Sequence, residues 1–298
     1  MPVSAPPGPR SRATRALYSA SLVVLFAAGC SSASGAAPGA DPTAALPLPA
    51  PEDGSSDGGP TGTDERDEPG EDALVGDGPL HDRIVVIDPG HNGGNASATT
   101  EINRLVPAGP REKACDTVGA ETGSGYAEHL FNWELSLLVK ERLEADGATV
   151  VLTREDDEGV GPCIDERAEI GNEVRADAAL SIHADGGPAS GRGFHVIVPG
   201  EVEGFTEDIV APSLLLAEDL RREYREGSDI PYADYLAEDG LDERTDLGGL
   251  NMSTVPKVFL EAGNMRNAED AALLEDPEWQ ERAASAIARG LAMYLMRD

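Results

Sequence analysis

Apolar positions along the chain follow two different periods. Short runs rich in β-branched residues read as strands: Arg83 to Ile87, Thr149 to Leu152, Ala178 to Ile182, Phe194 to Val198 and Lys257 to Leu260. Longer stretches with a helical period read as helices. These are Glu128 to Asp146, stopped by Gly147 and carrying Phe131, Leu135, Leu138 and Val139 on one stripe; Asp165 to Val174, opened by an acidic turn; Pro212 to Arg225; and Glu278 to Leu295, with Trp279, Ala283, Ile287 and Leu291 in line. A further short strand is expected at Asp246 to Asn251. Strands alternating with helices predict an α/β fold, a single domain with a mixed, mostly parallel sheet of about six strands and helices on both faces. Residues 92–127 have no period and read as a long irregular loop; loops of that length inside a compact domain usually serve function.

The periodic part starts only near Asp82. Ahead of it, residues 31–80 are Ala, Pro, Gly, Ser and Asp with scarcely a large apolar side chain. Such a segment cannot bury enough surface to offset its ordering entropy, so a disordered tether is expected there. At the very start, Arg10, Arg12 and Arg15 precede an apolar run from Leu22 to Ala28 that is too short to span a bilayer, which is the layout of an export signal. The run ends in Ala27-Ala28-Gly29-Cys30, which resembles the lipobox of bacterial lipoproteins, where the cysteine is lipidated and becomes the mature N-terminus. Cutting as an ordinary secretory signal is the alternative. The expected plan is a signal over 1–30, a tether over 31–80 and a folded domain over 82–298, anchored at the outer face of the cytoplasmic membrane or secreted.

A net charge of -32 disfavours nucleic acid and anionic lipid headgroups, both of which need clustered Lys and Arg. With 40% hydrophobic but only 4% aromatic residues, the core must be built mainly from Val, Leu, Ile and Ala. Setting Cys30 aside leaves Cys115 and Cys163, an even pair in an oxidising compartment, which reads as one disulfide. It would close a loop of roughly 50 residues, worth about 4 kcal/mol in the chain-entropy account. No C-x-x-C spacing accompanies these cysteines, so they are not read as zinc ligands.

Chemistry-bearing side chains sit where the apolar runs end. His91 follows the first strand across Pro89-Gly90, His183 follows the third, Glu261 follows the fifth, and Glu128 opens the first helix on its core-facing stripe. In open α/β sheets the carboxyl ends of strands form the ligand crevice. Two histidines and a carboxylate around an open position are the donor set of a catalytic zinc site, and a second carboxylate, Glu261, is placed to move the proton of an attacking water. Taken singly, each has a plainer account: Glu128 as an acid at a helix N-terminus, Glu261 as a strand-end partner of an arginine.

These residues carry a family resemblance. From about Ile84 to Met296 the chain resembles the zinc-dependent N-acetylmuramoyl-L-alanine amidases of the amidase-3 type, bacterial cell-wall hydrolases. Asp88-Pro-Gly-His91-Asn-Gly-Gly94 matches the first block of that family; Ser181-Ile-His183-Ala-Asp185 matches the second, with Asp185 where Asn is commoner. Glu261-Ala-Gly-Asn264-Met-Arg266-Asn267 resembles the third, with Asn264 in place of an aromatic residue, and Arg167 and Asn172 sit where the family has an Arg and an Asn. The resemblance implies zinc held by His91, Glu128 and His183, with Glu261 as catalytic acid and base, acting on peptidoglycan; nothing in the sequence suggests more than a monomer. For the second ligand, Glu134 lies nearby; the family's spacing to Thr153-Arg154 selects Glu128, and six helical residues would carry Glu134 about 9 Å farther from the sheet edge. Cys115 and Cys163 resemble the disulfide of mycobacterial-type members. Neither a separate cell-wall-binding module nor a regulatory helix has a signature here.

Two rival functions remain at this level. One is a zinc peptidase cutting within the stem peptide, the other a non-catalytic lipoprotein that binds peptidoglycan through an amidase-like cleft. Products separate the first, metal content the second.

Overall fold

Val85 to Pro89 are buried on both sides, as expected of a strand inside a parallel sheet rather than at its edge. The computed structural model describes residues 78–297. In chain order its elements are β1 (Ile84–Pro89), a 3-10 turn (Asn95–Ser97), α1 (Thr99–Ile102), β2 (Leu105–Pro107), β3 (Glu112–Ala114), α2 (Glu128–Ala145), β4 (Thr149–Leu152), α3 (Ile164–Glu173), β5 (Ala178–Asp185), β6 (His195–Pro199), α4 (Val210–Ser228), β7 (Leu241–Arg244), α5 (Gly248–Asn251), β8 (Lys257–Asn264), α6 (Ala268–Leu274) and α7 (Pro277–Leu295). The six-stranded sheet has the order β4-β1-β5-β8-β6-β7. All pairs are parallel except β6 with β8. The signal, Cys30 and the tether up to residue 77 lie outside the described residues, whereas Leu80, at the expected end of the tether, is fully buried in the main core.

The two-residue period of the strands sorts their side chains onto two unlike faces. Val85, Ile87, Leu180, Ile182, Val258 and Leu260 face α2, α4 and α7, whose Phe131, Leu135, Leu216, Tyr224, Trp279 and Leu291 complete one continuous core. The opposite face starts apolar, with Val86 and Ala179 packed against Val174 and Val255. Towards the carboxyl ends of the strands it turns polar. There the register aligns Asp88 with Ser181, and His183 with Glu261 and then His195 across β5, β8 and β6. Residues in register share a face, so pairing alone puts a histidine beside a carboxylate on the side that α3 covers.

Several elements differ from the sequence expectation. Segment 92–127 is not structureless: it folds into the 3-10 turn, α1 and an antiparallel β2–β3 hairpin. Those strands are three residues long and largely exposed, so no apolar run announces them. No strand forms at Asp246 to Asn251. Gly248-Gly249 open α5 there, and Asn251 donates to the carbonyls of Ala108 and Thr245. The sixth strand is β7, Leu-Asp-Glu-Arg, a charged and half-exposed edge strand of the kind that blocks further pairing. Finally, β5 and β8 run on past His183 and Glu261, with a bulge after His183, so both residues lie within paired strands rather than beyond them. α6 has no counterpart among the expected helices; Asn267 caps it by accepting from the amides of Glu269 and Asp270.

Candidate metal centre

Glu128 is the first residue of α2 and is buried. Its Oε2 accepts from the amide of Ala120 at 2.7 Å, and its Oε1 accepts from the amide of Ala184 at 3.3 Å. The carboxylate is thereby fixed between the loop ahead of α2 and the end of β5. Both imidazoles meet it at one atom: His91 Nε2 is 3.1 Å and His183 Nδ1 3.0 Å from Glu128 Oε1. The two rings stand edge to face, 4.8 Å apart, and His183 stacks on Phe259 at 5.4 Å.

The Pro-Gly-His turn makes this approach possible. His91 adopts a left-handed backbone with φ 61°, uncommon for a residue with a Cβ, and this conformation follows directly on Gly90. A methyl group on Gly90 would lie 2.2 Å from His183 Cε1, so any larger residue there would push the His183 ring out of place. On its far side, His91 Nδ1 is 3.0 Å from the carbonyl of Thr117 and 3.3 Å from Asp116 Oδ1. A carbonyl can only accept, so Nδ1 carries a proton, and Nε2 is the nitrogen turned toward Glu128, the one a metal would take once it has lost its own proton.

Asp116 was not singled out by sequence reading, although it adjoins Cys115. The Cys115–Cys163 disulfide is formed, with the Cα atoms 4.5 Å apart. It joins the segment just after β3, which carries Asp116, to the N-cap of α3, the helix that carries Arg167. Arg167 Nη2 in turn donates to the carbonyl of His91 at 2.9 Å and lies 3.5 Å from Asp116 Oδ2. The bridge therefore fixes both residues that hold His91 from behind.

Electrostatics at the cluster favour a positive charge between the histidines. Burial alone would lower the His91 pKa, but Glu128 on one side and Asp116 on the other raise it to about 10. Glu128 shows the counterpart: burial opposes ionisation, and His91 and His183 outweigh it and hold the carboxyl well below its ordinary range. Glu261 is pushed the other way, well above the usual carboxylate range, by burial first and then by Glu128 and Asp185. It lines the same cleft, about 540 Å³ in volume, as His91, Glu128 and His183, and its Oε2 is buried without a hydrogen-bond partner.

The remaining sequence candidates divide. Glu134 takes the hydroxyl of Tyr126 and is not in the cleft. Asn172 ties the end of α3 to the carbonyl of Met252 and the amide of Thr254, away from the histidines. Asp185 is in the cleft, with its Oδ2 bonded to the hydroxyl of Tyr235 at 2.9 Å. His91, Glu128 and His183 present ligand atoms that all lie within 4.8 Å of one another, a group able to hold a metal ion.

Residues 85–293 match the N-acetylmuramoyl-L-alanine amidase family of the amidase-3 type. The chain belongs to that family. The amidase is 44% identical over 213 residues to N-acetylmuramoyl-L-alanine amidase Rv3717 of Mycobacterium tuberculosis, covering 71% of this chain and 86% of the relative. Among solved structures it is similar to the N-acetylmuramyl-L-alanine amidase Ami1 of Mycobacterium smegmatis, with 41% identity, a TM-score of 0.68, and 72% of this chain and 98% of that one covered. The apo form of Ami1 from Mycobacterium abscessus gives 43% identity and the same TM-score of 0.68, covering 72% of this amidase and 100% of that chain.

Proposed function

We propose that this amidase hydrolyses the amide bond between the lactyl group of N-acetylmuramic acid and L-alanine in the peptidoglycan stem peptide, with zinc held by His91, Glu128 and His183 and with Glu261 as acid and base. The observation that carries the reading is the approach of both imidazoles to one oxygen of Glu128, at 3.1 and 3.0 Å. Two imidazole nitrogens and one carboxylate oxygen suit zinc, and three protein donors leave a position free for chemistry. When bound, the metal supplies a Lewis acid for the scissile carbonyl and a water ionised near neutral pH.

This chain's side chains do the rest. Glu128, fixed by the Ala120 and Ala184 amides, holds the two histidines in one orientation. Glu261 faces the same cleft from the neighbouring strand, in register with His183. Its partnerless Oε2 takes the proton of the attacking water and delivers it to the departing nitrogen. The C–N bond breaks as the C–O bond forms, leaving a free amino terminus on alanine. Names of several relatives place such amidases at the cell wall, which agrees with an exported, envelope-located protein. We assign residues 1–30 as the signal, Cys30 as the lipidated residue and the residues after it, stopping short of the buried Leu80, as a tether carrying a monomeric catalytic domain. No helix among the described residues is long and apolar enough to cross a membrane.

Mass spectrometry of muropeptides digested by the protein, with metal analysis of the same sample, tests the reading. New amino termini on alanine and about one zinc per chain are expected. Cleavage between peptide residues would instead make the enzyme a stem-peptide peptidase, and full activity without zinc would remove the metal from the mechanism.

Asp116 gives a sharper test of the ligand set. A carboxylate behind a metal-binding histidine typically governs affinity by 10 to 100-fold, so Asp116→Ala should weaken zinc binding by about that factor. Competition against a chromophoric chelator measures it directly. An unchanged affinity would mean that the Thr117 carbonyl alone orients His91.

A further inference from the structure

We propose that Arg266 is a specificity-determining residue that binds a carboxylate on the peptide side of the substrate. Four lysine and arginine side chains line the cleft: Lys113, Arg167, Arg244 and Arg266. Three are already committed. Lys113 donates to the Asp246 carbonyl at 2.7 Å, and Arg244 forms a two-point pair with the Asp246 carboxylate at 2.8 and 3.1 Å. Arg167 is spent on Asp88 at 2.7 Å and on the backbone of His91 at 2.9 Å. Arg266 is different: among the described residues its side chain makes no hydrogen bond and no ion pair, and its bonded group is its backbone amide, which donates to Asn264 Oδ1 at 3.0 Å.

Its position is nevertheless built. Asn264 is fully buried, and its amide nitrogen donates to the carbonyls of Pro188 and Gly191, both at 2.8 Å. One side chain thus clamps the 186–193 loop to the turn that presents Arg266. This is the position where the family resemblance led one to expect an aromatic residue; the asparagine substitutes hydrogen bonds for packing. The guanidinium lies over Gly186, with Arg266 Nε 3.5 Å from where a Cβ on that glycine would stand. Gly186 also lines the cleft, directly after Asp185, and shares it with His183 and Glu261.

An unpaired guanidinium at the lip of a cleft whose floor carries Asp88, Asp116, Glu128, Asp185 and Glu261 is a selective feature. A substrate carboxylate drawn toward the floor would meet repulsion, whereas one held at the lip meets a planar donor suited to two-point binding. Of the two halves of the substrate, the peptide is the one that carries carboxylates.

The proposal rests on the amidase reading, and the experiment separates the two. N-acetylmuramoyl peptides of one sequence are prepared with each peptide carboxyl group either free or as the amide. Wild-type protein, Arg266→Ala and Arg266→Lys are compared on each, with zinc content measured alongside. For one carboxyl position, Arg266→Ala should raise KM about tenfold or more with kcat and zinc little changed, as expected for loss of a charged hydrogen bond. Arg266→Lys should recover part of the loss, and the amide of that position should be a poor substrate for wild type that Arg266→Ala makes no worse. Equal losses on acid and amide at every position, or no loss at all, would overturn the proposal. If none of these compounds is hydrolysed by the wild type, the amidase reading itself falls, and this proposal with it.

Discussion

Glu261→Gln should reduce release of stem peptide from muropeptides by about 10² to 10⁴-fold, the range over which a positioned acid and base contributes. Zinc content should stay as in the wild type, because the group able to hold a metal ion, His91, Glu128 and His183, does not include Glu261. Glutamine keeps the shape of the side chain and can neither take up nor release a proton. In the metal-free cleft, burial together with Glu128 and Asp185 keeps the Glu261 carboxyl protonated well above the usual carboxylate range. Such a group is poised to change its protonation when a dication arrives beside it. Muropeptide digestion with parallel metal analysis reads both quantities. Undiminished release would take Glu261 out of the chemistry, and joint loss of zinc and activity would make it a ligand instead.

The residues that meet at this cluster were legible in the chain because each follows a strong local signal. His91 follows a β-branched run and a Pro-Gly break; His183 and Glu261 close apolar runs; Glu128 opens a long amphipathic helix. What could not be read was how they meet. In the sequence His183 and Glu261 look like strand-end residues, yet both are paired within β5 and β8, because a strand may go on without an apolar side chain when its ladder continues. The hairpin at 105–114 and the edge strand β7 escaped because short exposed strands carry no alternation. Asp116 and Asn264 act through hydrogen bonds to groups far away in the sequence, and no periodicity encodes those. A lysine opening an apolar strand was the one such clue left unused. Lys257, at the head of β8, is 1% exposed.

That lysine leads to the second large effect. Removing Asp88, as Asp88→Ala, should destabilise the domain by about 3 to 5 kcal/mol, because it strands buried charges. Asp88 Oδ1 accepts from Arg167 Nη1 and from the hydroxyl of Thr153, both at 2.7 Å, while Oδ2 accepts from Ser181 at 2.6 Å and from Lys257 Nζ at 3.2 Å. Two cations therefore share one buried carboxylate, beneath the turn that carries His91. Lys257→Met should cost much less, since Asp88 then keeps Arg167 and both hydroxyls and loses only the surplus charge. Acid provides an independent check. Burial works to raise the Asp88 pKa, but Lys257, Arg167 and the two hydroxyls outweigh it and leave the carboxyl well below its ordinary value of 3.8. With a depressed folded pKa, the stabilisation is complete above that ordinary value and is lost as the pH falls toward the folded one. The gap between wild type and Asp88→Ala in denaturant unfolding should thus be constant near neutral pH and shrink by about 1.4 kcal/mol per unit once the pH drops below the ordinary value. A gap that stays constant into acid would show that Asp88 contributes by packing rather than by charge, and the buried network beneath His91 would then have no electrostatic part in holding the turn.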